Sequence, residues 1–139
     1  MNFRGTQDSV PFLGDSMTLQ EAITKADNLK PNNYKFPQKV DWISDVDGMI
    51  FHEIIENHEN PEELDWHPYS EDSDASIRLL ADDPYSELYI FYVCAKIDFY
   101  NGEYTRYANH MQSFNDKYQA FADYYNRTNK SNKMHKFRL

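Results

Sequence analysis

Cysteine, glycine and long apolar runs are scarce in this chain of 139 residues. The single cysteine, Cys94, can form no internal disulfide, and nothing implies a secreted, disulfide-stapled scaffold. Four glycines argue against a β-barrel or a glycine-rich nucleotide loop. No stretch reaches the roughly 18 apolar residues of a membrane span. The first residues also lack the basic region and apolar core of a secretory signal. Cations are short as well: 14 Lys and Arg stand against 23 Asp and Glu, a net charge of −9. That deficit argues against general DNA binding, which works through phosphate neutralisation.

Aromatic residues are plentiful, with eleven Tyr and nine Phe, so a core here is built from rings with polar tips. They concentrate between Asp83 and Tyr125, which reads as two long helices folded back at Asn101–Gly102. Asp82 and Asp83 are capping candidates and Pro84 a first-turn proline, predicting a helix from Pro84 to Tyr100. Tyr85, Leu88, Tyr92, Ala95 and Phe99 form one seam of that helix, and Ile90, Val93, Ile97 and Tyr100 a second. A helix apolar on two flanks is central and buried. Its partner, predicted from Glu103 to Thr128, repeats Tyr104, Tyr107, Met111, Phe114, Tyr118, Phe121 and Tyr125 at strict 3-4 spacing. Such a seam reads as core rather than a base-stacking platform, because platforms come with basic grooves. The longer last helix is expected to overhang its neighbour and carry the chain's basic end outward.

The other elements read more simply. Residues 1–16 show no period and are expected to be a flexible leader, with Met17 a candidate alternative start. Thr18-Leu19-Gln20-Glu21 fits a capping box opening a short helix with Leu19, Ala22, Ile23 and Ala26 on one face. Pro37 can open a second helix, running to about His58, on the seam Val40, Ile43, Ile50 and Ile54. Asp47, beside Gly48, interrupts that seam. It reads as a helix bend or as a carboxylate bonded to a buried Tyr hydroxyl; a functional carboxylate is the sharper alternative. The connection over 59–81 is too long for an ordinary loop and too apolar for simple disorder, with Trp66, Tyr69, Ile77, Leu79 and Leu80. It is expected to be an ordered arm with a short strand at 76–80. The fold class is therefore all-α: a four-helix, bundle-like domain over 17–128 with an irregular arm and a basic tail over 129–139.

No catalytic motif emerges. His52-Glu53-Ile54-Ile55-Glu56 has a glutamate where a zinc helix needs its second histidine, although His52 and Glu56 could share a metal with His58 or His67. A calcium loop at Asp45, Asp47 and Gly48 would need Ile43 and Ile54 as ligands. Asn126-Arg127-Thr128 and Asn129-Lys130-Ser131 match the glycosylation pattern by chance in a chain without secretory context. The chain reads as neither an enzyme nor the holder of a cofactor or metal. Charge is polarised instead. Ten acids against Arg78 fill the span from Glu56 to Asp83, whereas Arg127, Lys130, Lys133, Lys136 and Arg138 face no acid in the last thirteen residues. Trp66 and Tyr69 of the arm, with those five basic residues, are the candidate partner-docking groups. An acidic regulator or DNA mimic that binds a host protein is the alternative reading of this charge.

Several stretches resemble the small helical head–tail connector (adaptor) proteins of tailed bacteriophages and Gram-positive prophages. They are Met17-Thr18-Leu19-Gln20-Glu21-Ala22, Lys30-Pro31-Asn32, Asp83-Pro84-Tyr85 through Leu88-Tyr89, Ile97-Asp98, Asn101-Gly102-Glu103, Arg106-Tyr107-Ala108-Asn109, Phe114-Asn115 and Tyr124-Tyr125-Asn126-Arg127-Thr128. Together they span residues 17–128 and are spread over ordinary residues. The resemblance implies a homo-oligomeric ring, typically of twelve copies, in the virion neck. Its partners would be the portal protein and a tail-side stopper or tail-completion protein, with DNA only in transit through the lumen, no membrane and no catalysis. Assembly would take place in the host cytoplasm.

Overall fold

A computed structural model of the chain describes residues 16–59 and 64–131. The 3-4 apolar spacing resolves into four α-helices: α1 Leu19–Leu29, α2 Phe36–Glu53, α3 Glu87–Tyr100 and α4 Tyr104–Thr128. The all-α expectation is corrected in one respect. Strand β1 (Ser16–Thr18) pairs antiparallel with β2 (Arg78–Asp82), so a small two-stranded sheet closes one end. The expected strand in the arm is real and lies two residues further on.

α3 is the middle layer, with α1 and α2 on one side and α4 on the other. Leu88, Tyr89, Val93, Ala95 and Ile97 are fully enclosed. Burying a branched or aromatic side chain in this way contributes about 1.5–3 kcal/mol. α4 is an outer helix. Only Phe114 and Phe121 of its aromatic seam are buried, and the other seam rings are half-buried or exposed.

Local chemistry sets the ends. Thr18 Oγ1 accepts the Glu21 N–H at 3.1 Å, and Glu21 Oε1 accepts the Thr18 N–H at 3.0 Å, completing the expected capping box. The arm satisfies two more donors of the first turn: Leu19 N–H reaches Ile77 O and Gln20 N–H reaches Ala75 O, each at 2.9 Å. Pro84 does not open α3. Residues 83–86 form a turn after β2, and the helix begins at Glu87 behind Ser86. α2 stops at Glu53, and Ile55–Asn57 form a single 3₁₀ turn. The fold-back at Asn101–Gly102 is a Schellman cap: Gly102 has φ +77°, its N–H reaches Phe99 O at 3.0 Å, and Glu103 N–H reaches Asp98 O at 2.8 Å. A glycine suits that φ because it has no Cβ to clash.

The α4 overhang is occupied rather than free. α4 is about 37 Å long and α3 about 21 Å at 1.5 Å per residue. The excess packs on the chain's other turns. Tyr85 meets Phe121 and Tyr124, His58 meets Tyr125 with ring centroids 4.9 Å apart, and Glu59 N–H reaches Lys130 O at 2.8 Å. The start of the basic tail is thus pinned to residues 58–59.

Asp47 is fully buried, and three donors hold its carboxylate. Tyr69 donates at 2.6 Å and Tyr89 donates to the other oxygen, while Leu80 N–H approaches at 3.2 Å. The interruption of the α2 seam is therefore a carboxylate bonded to buried tyrosines, and it ties α2 to the arm and to α3. Burial outweighs these bonds and pushes its pKa up to about 6. The folded state then holds a proton that the unfolded chain releases near 3.8, so this contribution to stability is full below pH 3.8 and lost as pH rises through 6. Compared with Asp47→Asn, the wild type should lose up to about 3 kcal/mol of relative stability across that window in urea unfolding at a series of pH values. Tyr89→Phe removes one of these donors and also the acceptor of the Ala81 N–H, and should cost about 1–3 kcal/mol at neutral pH.

Candidate partner-docking surface

The sequence-predicted docking residues are not gathered into one face. Tyr69 is a core residue, 9% exposed, with its hydroxyl on Asp47 and its N–H bonded to Ser44 Oγ at 3.0 Å. It is therefore committed within the monomer rather than displayed. Trp66 is half-buried over Gly48, whose missing Cβ leaves room for the indole; a methyl there would lie 3.0 Å from the ring. Phe51 and Tyr69 flank it at centroid distances of 6.5 and 6.0 Å. Arg127 and Lys130 are exposed near the end of α4, and Lys130 lies 3.9 Å from Glu59. Lys133, Lys136 and Arg138 fall outside the described residues, as does the expected 1–16 leader except for Ser16, which opens β1.

The candidate metal ligands are dispersed. His52 faces Glu56 at 3.1 Å on an exposed edge, and His67 faces Asp65 at 3.2 Å. His58 is buried with Nδ1 on Ile54 O at 2.7 Å. Among the described residues no cluster of three or more such ligands forms.

A different surface stands out at the hairpin turn. Six large hydrophobic side chains are exposed among the described residues, and five of them lie at this end of the helices: Leu29, Phe36, Phe99, Tyr100 and Tyr104. Tyr104 is 63% exposed. The rings form a connected sheet of contacts. Phe99 packs on Tyr100, Tyr104 and Tyr107 at 5.3–5.8 Å, and Tyr100 stacks on Trp42 at 5.9 Å with an interplanar angle of 10°. Tyr34 closes the edge against Trp42, and its hydroxyl donates to Asn101 at 2.7 Å. Lys96 sits over the Tyr92 and Tyr100 rings at 5.8 and 5.6 Å, a cation–π arrangement that keeps a charge on the aromatic surface. Contiguous exposed aromatic area of this kind marks interaction sites more often than scattered apolar residues do.

A buried network keeps this end rigid. Asp98 is fully enclosed and accepts from His110 Nδ1 at 2.6 Å, while Lys30 Nζ lies 2.8 Å from its other oxygen. Lys30 also reaches Glu103 at 2.6 Å, and these two acids raise its pKa. The C-terminus of α1, the end of α3 and the first turns of α4 are thereby locked together. Leu29, Lys30, Pro31, Cys94, Arg106 and His110 line an open cleft of about 370 Å³ beside it. Cys94, His110 and Asp98 resemble a nucleophilic triad by residue type only. The thiol is 1% exposed and burial pushes its pKa up to about 11, so it holds its proton at neutral pH.

No protein-family model, curated protein or solved structure matches the chain.

By periodicity, Phe99, Tyr100 and Tyr104 belong to seams expected to be buried. The signal that separates them is position: they flank the Asn101–Gly102 turn, where a seam runs past the end of its neighbours. The Asp98 network had a signal too, a lone acid inside an otherwise apolar helix. Tyr104→Ser should leave the unfolding free energy within about 0.5 kcal/mol, as befits an exposed side chain. Phe121→Ala, in the same seam but buried, should cost about 3–5 kcal/mol. Denaturant titration of the two variants checks the contrast.

Proposed function

We propose that the chain is a structural virion protein, a head–tail connector that forms a ring between the portal and the tail or its stopper, with DNA passing through. The observation that carries this reading is the aromatic surface at the hairpin turn. It is broad and exposed, and it is held by a Schellman cap and the Asp98 network rather than by a mobile loop. Preorganised rings lose little conformational entropy on docking, which suits a surface built to bind protein. The chemistry found elsewhere is committed to holding the fold: Asp47 to two tyrosines, Asp98 to Lys30 and His110, and Cys94 to the core. We read the helices as bundle-like, with α3 as the axis on which the docking end is mounted. The resemblance of residues 17–128 to phage connector proteins supplies the particular assembly, its portal and stopper partners and its place in the virion neck.

Co-expression with the portal protein of the same genome, followed by purification and negative-stain imaging, tests the proposal. The expected result is a ring of added density on the portal. A compact monomer that leaves the portal bare and instead inhibits a nucleic-acid enzyme would overturn it in favour of an acidic regulator. The basic tail is assigned to portal docking. Deleting 132–139 should weaken co-purification and leave the helical circular dichroism unchanged; the cut spares Ser131, which bridges to His58.

A further inference from the structure

Of the six large hydrophobic side chains exposed among the described residues, only Leu64, on the arm, lies away from the hairpin turn. Those residues therefore offer no second apolar face of comparable size. A head-to-tail contact would set the rings of one copy against polar surface on the next and desolvate it without return. The same end of a second copy sets rings against rings. A two-fold contact of this kind needs one self-complementary patch rather than two different ones.

The area is sufficient for such a pair. Phe99, Tyr100 and Tyr104 touch one another and are 43%, 51% and 63% exposed. A whole aromatic side chain covers about 200 Å², so these three leave about 300 Å² of ring surface open on each copy. Two copies face to face would cover about 600 Å². That equals the apolar share of a specific interface at its lower size limit of about 1,000 Å². Leu29 and Phe36, exposed at the same end, add to it.

Charge favours the same choice. Lys30, Lys35, Lys39, Lys96 and Arg106 at this end stand against Asp27, Asp41, Asp45, Asp98 and Glu103. The two sets cancel, so the chain's net charge of −9 lies elsewhere. Two acidic copies repel in most orientations and repel least where the facing ends are neutral.

We infer that the aromatic end of one copy pairs with the aromatic end of a second in a two-fold contact, with the rings of Phe99, Tyr100 and Tyr104 at its centre. The contact closes on itself and stops at a dimer. An interface near the lower size limit is weak, so dilution opens the pair and frees the rings. The pairing goes beyond the connector reading. It covers the docking surface of the unassembled chain at high concentration, and it must open before that surface meets any other protein.

Sedimentation velocity of the full chain, from high dilution to the solubility limit, tests the pairing. Wild type should pass from monomer to dimer and no further. Tyr104→Ser should weaken the dimer by at least about tenfold, as loss of a central tyrosine does. Leu64→Ser, away from the contact, should leave it unchanged. Added salt should strengthen the dimer, because it screens repulsion between two acidic chains and leaves ring packing intact. Circular dichroism checks that both variants stay folded. A wild type monomeric at every concentration, a mass that grows past the dimer, a dimer that Tyr104→Ser leaves intact, or one that salt dissolves would each overturn the pairing. The portal co-purification above is read separately: a monomer that still binds the portal would sink the pair and leave the connector reading standing.

Discussion

A carboxylate taken out of water must find donors, and this fold is arranged around one that does. Asp47 lies in the middle of α2, where periodicity calls for an apolar residue, and no part of it is exposed. Its three donors come from three places: Tyr69 on the arm, Leu80 on β2 and Tyr89 on the central helix. None of these tyrosine hydroxyls could be buried cheaply without such an acceptor. The arm is held to the helices by this node more specifically than by its own apolar residues. The same node explains why residues 64–81, without a helix of their own, are held in place. Once Leu80 is fixed, β2 is placed to pair with β1, and the arm carbonyls at Ala75 and Ile77 meet the first turn of α1.

A second buried acid plays the matching part at the other end. Asp98 gathers Lys30 and His110, and its backbone carbonyl also receives the Glu103 N–H of the Schellman turn. The two nodes divide the labour. One seals the sheet end and the arm, and the other sets the angle at which α4 leaves the turn. Between them α3 supplies apolar packing. On the proposed function, the aromatic rings at the turn need no folding of their own on docking. Their cost of association is mainly that of bringing two rigid bodies together.

Much of the helical plan is legible in the residues. Thr18 and Glu21 announce α1, Asn101–Gly102 announces the turn, and the two apolar flanks of α3 announce its central place. Asp47 is legible as an anomaly whose ordinary explanation, a buried tyrosine, is correct. What could not be read is set by contacts distant in sequence. Pro84 looks like a helix opener, but residues 83–86 are needed as the turn out of β2, whose partner lies more than sixty residues away at Ser16. The rings of α4 share one period, yet only Phe114 and Phe121 are buried: Phe121 is met by Tyr85 from the turn before α3, whereas Tyr104 sits at the hairpin turn against the exposed Phe99. Tyr69 looked like a docking ring on an arm; its hydroxyl instead serves Asp47. The proposed docking surface lies within the stretch that periodicity alone marks as internal support. Periodicity reports which residues share a face, and which other segments reach that face decides how much of it is covered.

The central claim is that the rings at the hairpin turn are a protein-binding surface. Hydroxyl-radical footprinting, read residue by residue by mass spectrometry, measures this directly in the free chain and in the assembled particle. The account predicts that Phe99, Tyr100 and Tyr104 are oxidised readily in the free chain and protected on assembly, while the already buried Phe114 and Phe121 change little. Equal oxidation of the three exposed rings in both states would contradict it.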